Sequence, residues 1–303
     1  MNLTAMNPLI SALENILYCP NSKCKHRPNY DCDDNCQTCG TPLLVNERYQ
    51  LIRPLRELQI FDNYEIFEVI DWNSDPKDAG KTKIIKILKS QLPDLIQQFK
   101  AEARTMMWLQ HDGIPQVEPE GFFSIPAGKG GKRSYCLVME KVEGKNLEQF
   151  VQQNGTISEH QALNWLGQIF DILGYIHQLG IVHQDIKPAN LMLKPNGEIT
   201  LIDFGATGRV NSTAITVLSL GYTSQKQLQG SVLTSSDFFA LGRTFVYLLT
   251  GKNPDSFSNQ VNTDKLVWRF NAPQISQYLA NKIDSLMETA TENCTEMVSV
   301  LNW

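Results

Sequence analysis

The sequence predicts an α+β chain of two lobes, a strand-rich one followed by a helix-rich one, with a small cysteine-rich module in front. Three observations predict it. Alternation over Tyr64–Asp71 and the run Lys83-Ile84-Ile85-Lys86-Ile87-Leu88 read as strands. From Leu147 onward the apolar residues fall at helical spacing, as in Ala162, Trp165, Leu166, Ile169, Phe170 and Leu173. Five of the seven cysteines crowd between Cys19 and Cys39.

Each element follows in order. Residues 18–44 form one compositional unit rich in Cys, Asn, Asp and Pro, and residues 45–52 lead into the first long strand. The strands around Tyr64–Asp71 and 83–88 bracket a turn at Asn73–Gly80. Leu95–Gln110 has helical spacing, with Leu95, Phe99, Ala103, Met106, Met107 and Leu109 on its apolar side. A Gly/Lys-rich turn at Ala127–Lys132 precedes the strand Tyr135–Met139. Ser158-Glu159-His160-Gln161 starts a long amphipathic helix that Gly180 ends, and further helices are expected at 235–250 and 275–290.

The chain has 303 residues, 42% hydrophobic and 19% charged, the composition of a soluble globular protein. Its net charge of −5 gives no hint of nucleic acid or an anionic membrane surface. Residues 1–17 lack the basic flank and apolar run of a signal peptide. The longest apolar stretch, Phe238–Leu249, contains Arg243 and is too short to span a bilayer. A cytoplasmic location is the default expectation, and in such a protein clustered cysteines point to metal more than to disulfides.

Two segments carry the chemistry. The first is Ile181-Val182-His183-Gln184-Asp185-Ile186-Lys187-Pro188-Ala189-Asn190, and the second is Ile202-Asp203-Phe204-Gly205. Together they resemble the catalytic loop and the metal-binding loop of eukaryotic-type (Hanks-type) serine/threonine protein kinases. The resemblance covers roughly residues 49–290 and implies a two-lobed protein kinase-like fold. The N-lobe would span about 49–140 and the C-lobe about 144–303, after an extension at 1–17 and the cysteine-rich unit at 18–44.

The resemblance also implies roles. Asp185 orients the substrate hydroxyl and accepts its proton. Lys187 neutralises charge on the transferring phosphoryl group. Asn190 and Asp203 hold the Mg²⁺ that bridges the phosphates of ATP. Lys86 is similar to the third-strand lysine that binds the α- and β-phosphates, and Glu102 is its ion-pair partner. Met139 guards the adenine pocket, Glu140 and Val142 offer backbone groups to the ring, and Met192 lies beneath it. Asp237 braces the catalytic-loop backbone, and His183 packs under Phe204. Ser219, in the segment before Gly221-Tyr222, contacts Asp185 and Lys187, which favours serine or threonine hydroxyls of a protein as acceptors.

The chain departs from the family in three places. The first hairpin, Leu55 to Phe67, has no glycine, so bare backbone cannot close over phosphates there. Gln184 replaces the arginine that answers a phosphorylated activation loop, so activity should not depend on Ser212, Thr213 or Thr216. Lys226 stands where a glutamate usually anchors the docking segment. The intact polar set favours an enzyme, while the missing glycines favour a pseudokinase or regulatory scaffold.

Cys19-Pro-Asn-Ser-Lys-Cys24 and Cys36-Gln-Thr-Cys39-Gly40 look like the two knuckles of a zinc ribbon. Cys32 could replace Cys36 in another ligand set, and an unstructured Cys-bearing tail is the competing reading. So little apolar content implies that structural Zn²⁺ supplies the stability, in a core separate from the lobes. A four-Cys prefix on a kinase domain resembles a group of cyanobacterial serine/threonine kinases, and such a ribbon could dock a partner. Cys136, in an apolar strand, is expected in the core.

Overall fold

Alternating aromatic and aliphatic residues lay down a six-stranded antiparallel sheet in this computed structural model. The structure describes residues 16–30, 33–59, 61–72, 80–126, 132–210, 219, 221–258 and 266–288. The extension up to Asn15, Cys32, residues 73–79, the turn at 127–131, the hydroxyls Ser212, Thr213 and Thr216, and Cys294 lie outside the described residues. Two compact units divide the chain: Met1–Met107 with Gln116–Lys141, and Trp108–Pro115 with Val142–Trp303.

The first unit opens with β1 (Ile16–Tyr18) and β2 (Pro28–Tyr30), an antiparallel pair. The large sheet follows: β3 (Leu44–Val45), β4 (Tyr49–Pro54), β5 (Tyr64–Asp71), β6 (Lys81–Leu88), β7 (Phe122–Pro126) and β8 (Arg133–Glu140), in the order β3-β4-β5-β6-β8-β7. Helix α1 (Pro93–Trp108) lies between β6 and β7 in the chain. Register sets what the sheet presents. Ile66, Lys86 and Leu137 share one cross-strand row, as do Ile84 and Met139. The core gathers Tyr49, Leu51, Phe67, Val69, Ile85, Ile87, Cys136 and Val138. Truncating a buried ring such as Phe67 to alanine costs about 3–5 kcal/mol. Cys136 is fully buried, as expected, and burial pushes its thiol up.

Helix α1 buries Phe99, Glu102, Ala103 and Met106, a stripe at intervals of three and four residues. Phe99 and Ala103 pack with Leu88 and Leu137. Packing therefore fixes the rotation of the helix and carries Glu102, its one buried charge, inward.

The cysteine-rich module has a small core of its own, Leu17, Cys19, Cys36 and Leu43, and it also packs on the sheet. The Tyr18 ring packs on Phe67 at 5.9 Å, and Arg27 lies over the same ring at 5.1 Å. Arg27 also bridges the Cys19 carbonyl and Glu65 of β5. The separate core expected from composition is present, and Tyr18 and Arg27, flanking the first knuckle, add the apolar and ionic contacts that join it to the sheet. The first strand also starts at Ile16, two residues ahead of the expected unit.

The second unit is mostly helical. It comprises β9 (Lys145–Asn146), α2 (Leu147–Asn154), α3 (Glu159–Gln178), β10 (Ile181–Val182), β11 (Leu191–Leu193), β12 (Ile199–Leu201) and β13 (Gly208–Arg209), then α4 (Gln225–Leu228), α5 (Thr234–Thr250) and α6 (Gln277–Leu286). Ser158 caps α3 with a reciprocal bond to Gln161, worth about 1 kcal/mol. Helix α5 is buried almost all round, with Phe238 meeting Phe170 of α3 at 5.8 Å. Trp268, fully buried, donates to Asp284 of α6 at 2.7 Å. This packed frame positions the loops on either side of β11 and β12.

Candidate active site and metal centre

In the first unit, Lys86 projects from the middle of β6 and Glu102 from the buried stripe of α1. Lys86 Nζ donates to Glu102 Oε1 at 2.7 Å, with the side chains 9% and 4% exposed. The same Nζ lies 4.9 Å from the centre of the Tyr64 ring. Removing one partner of so buried a pair leaves an uncompensated charge and costs about 3–5 kcal/mol. Met139 is half-buried against the α1 core. Glu140 is exposed; its N–H donates to Gln116 O at 2.8 Å and its Oε2 accepts from Gln116 N at 3.2 Å.

The second unit holds the loop after β10. Asp237, fully buried on α5, accepts from the backbone N–H groups of His183 at 2.8 Å and Gln184 at 2.7 Å. His177 of α3 reaches the same carboxylate at 2.8 Å. The backbone is thus braced immediately before Asp185. The His183 ring meets Phe204 edge-on at 4.8 Å, and burial pulls its pKa down, so the imidazole is neutral.

Three donors converge on the Asp185 carboxylate. Lys187 Nζ approaches both oxygens at 3.1 and 2.8 Å, Ser219 donates its hydroxyl to Oδ1 at 2.6 Å, and Asn190 Nδ2 donates to Oδ2 at 2.9 Å. Asn190 Nδ2 also donates to the Asp185 carbonyl at 2.8 Å. With its amide protons directed at Asp185, the atom that Asn190 can offer a cation is its amide oxygen. Ile202 N–H donates to Asn190 O at 2.9 Å and brings Asp203 alongside. Asp203 is exposed and left-handed at φ 63°, and the short helix Phe204–Ala206 follows it. Met192 is half-buried on β11, paired with Asn146 and Thr200, and Val142 is half-buried at the start of the unit. The chemistry available is a carboxylate already accepting from a hydroxyl, flanked by a lysine and two oxygen donors suited to Mg²⁺.

The four expected cysteine sulfurs of the first unit converge. The sulfur atoms of Cys19, Cys24, Cys36 and Cys39 all lie within 4.8 Å of one another. Cys19 and Cys39 are 3.6 Å apart, and Cys24 and Cys36 are 3.7 Å apart. Four sulfurs at ~2.3 Å from one tetrahedral zinc are separated by ~3.8 Å, so the cage fits that ion. Burial pushes the Cys19 thiol up. At Cys39 burial also acts upward, but hydrogen bonds from the Thr41 hydroxyl and amide, then from Cys19 and Cys24, outweigh it and hold the thiol down at about 6.

Three contributors were not expected from sequence. Tyr64 faces Lys86 although its alternation marked it only as a strand residue. Arg27 ties the cysteine module to Glu65 across 38 residues, and Gln227 reaches the Gln184 carbonyl across 43. No spacing rule links positions so far apart.

The protein kinase domain family matches residues 73–302. Strands β4 and β5 precede that span but belong to the same sheet as β6. Serine/threonine-protein kinase B of Synechocystis sp. is 29% identical over 297 residues, 91% of this chain and 49% of that protein. Serine/threonine-protein kinase C of the same organism is 33% identical over 264 residues, 80% of this chain and 47% of that protein. Serine/threonine-protein kinase PknA of Mycobacterium tuberculosis is 32% identical over 192 residues, 60% of this chain and 44% of that protein. The chain spans about half the length of the curated relatives it matches.

Proposed function

Because the chain belongs to the protein kinase domain family, we propose that it transfers the γ-phosphoryl group of ATP to serine or threonine hydroxyls of a protein. The observation that carries this reading is the Asp185 carboxylate, gripped by Lys187 and Asn190 and bonded to a hydroxyl at 2.6 Å. Mg²⁺-bound ATP supplies the phosphoryl group and the neutralising charge. Asp185 takes the proton from the acceptor hydroxyl, and Ser219 marks the side from which an oxygen reaches it. Lys187 carries positive charge to the reacting atoms. Asn190 and Asp203 would hold the cation, and Lys86, paired with Glu102, would hold the phosphates. Met139, Met192 and the backbone at Glu140 and Val142 take the adenine.

The same reading gives Cys19, Cys24, Cys36 and Cys39 a structural Zn²⁺ and leaves the module free to dock a protein partner. Four reduced thiols suit a cytoplasmic location. Among the described residues no helix is long and apolar enough to cross a membrane.

A second reading is a pseudokinase, a scaffold with weak or absent catalysis. It is favoured by the hairpin between β4 and β5, whose side chains include Glu57 and Asp62 and no glycine. The purified chain, incubated with labelled ATP, Mg²⁺ and a basic protein substrate, separates the two. Transfer by the native chain, lost in Asp185→Asn, is the expected result. No transfer by the native chain selects the scaffold.

A further inference from the structure

Gln184 sits one residue before Asp185 with a left-handed backbone, φ 67°, an unfavourable conformation for a residue with a side chain. It is 5% exposed, and hydrogen bonds run out of it in three directions. Its N–H donates to Asp237 Oδ1 at 2.7 Å. Its carbonyl accepts from Gln227 Nε2 at 2.7 Å. Its side-chain Nε2 donates to the Ala206 carbonyl at 2.9 Å.

The far ends of these bonds matter. Ala206 closes the short helix that Asp203 opens, so the side chain of Gln184 couples the Asp185 loop to the Asp203 loop. Gln227 belongs to α4 and is 3% exposed. Its segment also carries Ser219, which grips Asp185 by the side chain. Ser219 and Gln227 therefore hold the Asp185 turn at two points, the carboxylate and the preceding peptide. Gly208 completes the arrangement. A Cβ there would lie 2.5 Å from Gln184 Nε2 and 3.0 Å from Val232 Cγ1, so a side chain at position 208 would displace the amide from its place beside Ala206.

We propose that Gln184 and Gln227 form a neutral amide relay that presets the Asp185 and Asp203 loops together, a task that needs no phosphate on the activation loop. Both are positioning residues, acting through backbone rather than on the substrate. The amide is suited to the work: each glutamine side chain donates to a backbone carbonyl without burying a charge. The proposal rests on the kinase reading for its catalytic consequence, and its structural content stands apart from turnover.

The test uses the full chain in five forms: native, Gln184→Met, Gln227→Met, Gly208→Ala and Arg269→Ala. Methionine keeps the bulk of each glutamine and removes its donor. Arg269→Ala, which breaks an ion pair with Asp284, is the control for lost stability alone. Each is measured for phosphoryl transfer and for hydrogen exchange in peptides covering 183–187 and 204–208. Gln184→Met and Gly208→Ala should raise exchange in both peptides, and Gln227→Met mainly in 183–187. In an active native chain all three should lower kcat about tenfold, the effect of one hydrogen bond. Their KM for Mg-ATP should stay within about twofold, the mark of an interaction that acts on the chemical step. Arg269→Ala should lower Tm with kcat unchanged. Exchange that is unaltered in the methionine variants overturns the relay, whether or not the native chain transfers phosphate. Altered exchange beside full kcat overturns its role in positioning. A native chain without transfer overturns the kinase reading and leaves the relay to be judged by exchange.

Discussion

Arg27 donates to Glu65 at 2.9 Å, joining the first cysteine knuckle to the strand next to the one that carries Lys86. Both side chains are at least nine-tenths buried, and Lys89 is the second cation on Glu65 at 3.4 Å. Breaking a buried pair costs about 3–5 kcal/mol when the partner is stranded. With Lys89 still near Glu65, Arg27→Ala should cost about 2–3 kcal/mol by chemical denaturation. A change under ~0.5 kcal/mol would mean that the module rests on the sheet without supporting it.

The same joint sets the expectation for the metal. The purified chain should contain one Zn²⁺ per molecule, and Cys24→Ser should lose it. Because Tyr18 and Arg27 bear on Phe67, that loss should also lower the Tm of the strand-rich unit, by several degrees. Elemental analysis with paired melting curves checks both parts. Zinc-free native protein refutes the metal, and an unmoved Tm in zinc-free Cys24→Ser refutes the coupling.

Lys86 permits a separation of binding from stability. Lys86→Met should abolish the thermal shift produced by millimolar Mg-ATP, since bound ligand stabilises by mass action. It should also destabilise the apo chain, because Glu102 is left buried without its lysine. Adding Glu102→Leu should recover most of the apo stability and none of the ATP shift. Recovery of the shift in the double variant would show that Lys86 does not carry the phosphates.

A charge network at one end of the sheet predicts acid sensitivity. Arg48 contacts Asp71 at 2.6 Å and Glu118 at 2.7 Å, and Lys83 contacts Asp71 at 2.7 Å and Glu118 as well. Burial acts to raise both carboxyls, but the Arg48 and Lys83 contacts outweigh it and hold both below the usual range. A depressed carboxyl stabilises the fold above its unfolded value, ~3.9 for Asp, and the gain disappears as pH falls through the folded value. Stability of the native chain should therefore be level through neutral pH and drop below about pH 4. Arg48→Met should flatten that drop while lowering stability at pH 7. Denaturant melts from pH 3 to 7 measure it, and an unchanged slope in the variant would remove Arg48 from the account.

Much of this molecule is legible in short stretches of chain. Asp185, Lys187 and Asn190 lie within six residues, and their mutual bonds follow from local backbone once the loop is formed. Lys86 and Glu102 were legible through the resemblance of Ile84–Leu88 and the helix after it to the family, and packing of Phe99 turns Glu102 inward. The cysteine cage was legible as two short knuckles, Cys19–Cys24 and Cys36–Cys39, with Cys32 as a spare thiol that could replace Cys36. Among the described residues the Cys36 sulfur converges on the other three. Tertiary structure alone decided Arg27 with Glu65, Gln227 with Gln184, and Gln184 with Ala206. These bonds join segments that meet only after separate elements have packed, and local periodicity carries no information about a partner several elements away. The physical reason is the directionality of a hydrogen bond: a glutamine amide has a role only when a buried carbonyl is brought to it, and packing, not spacing, does that.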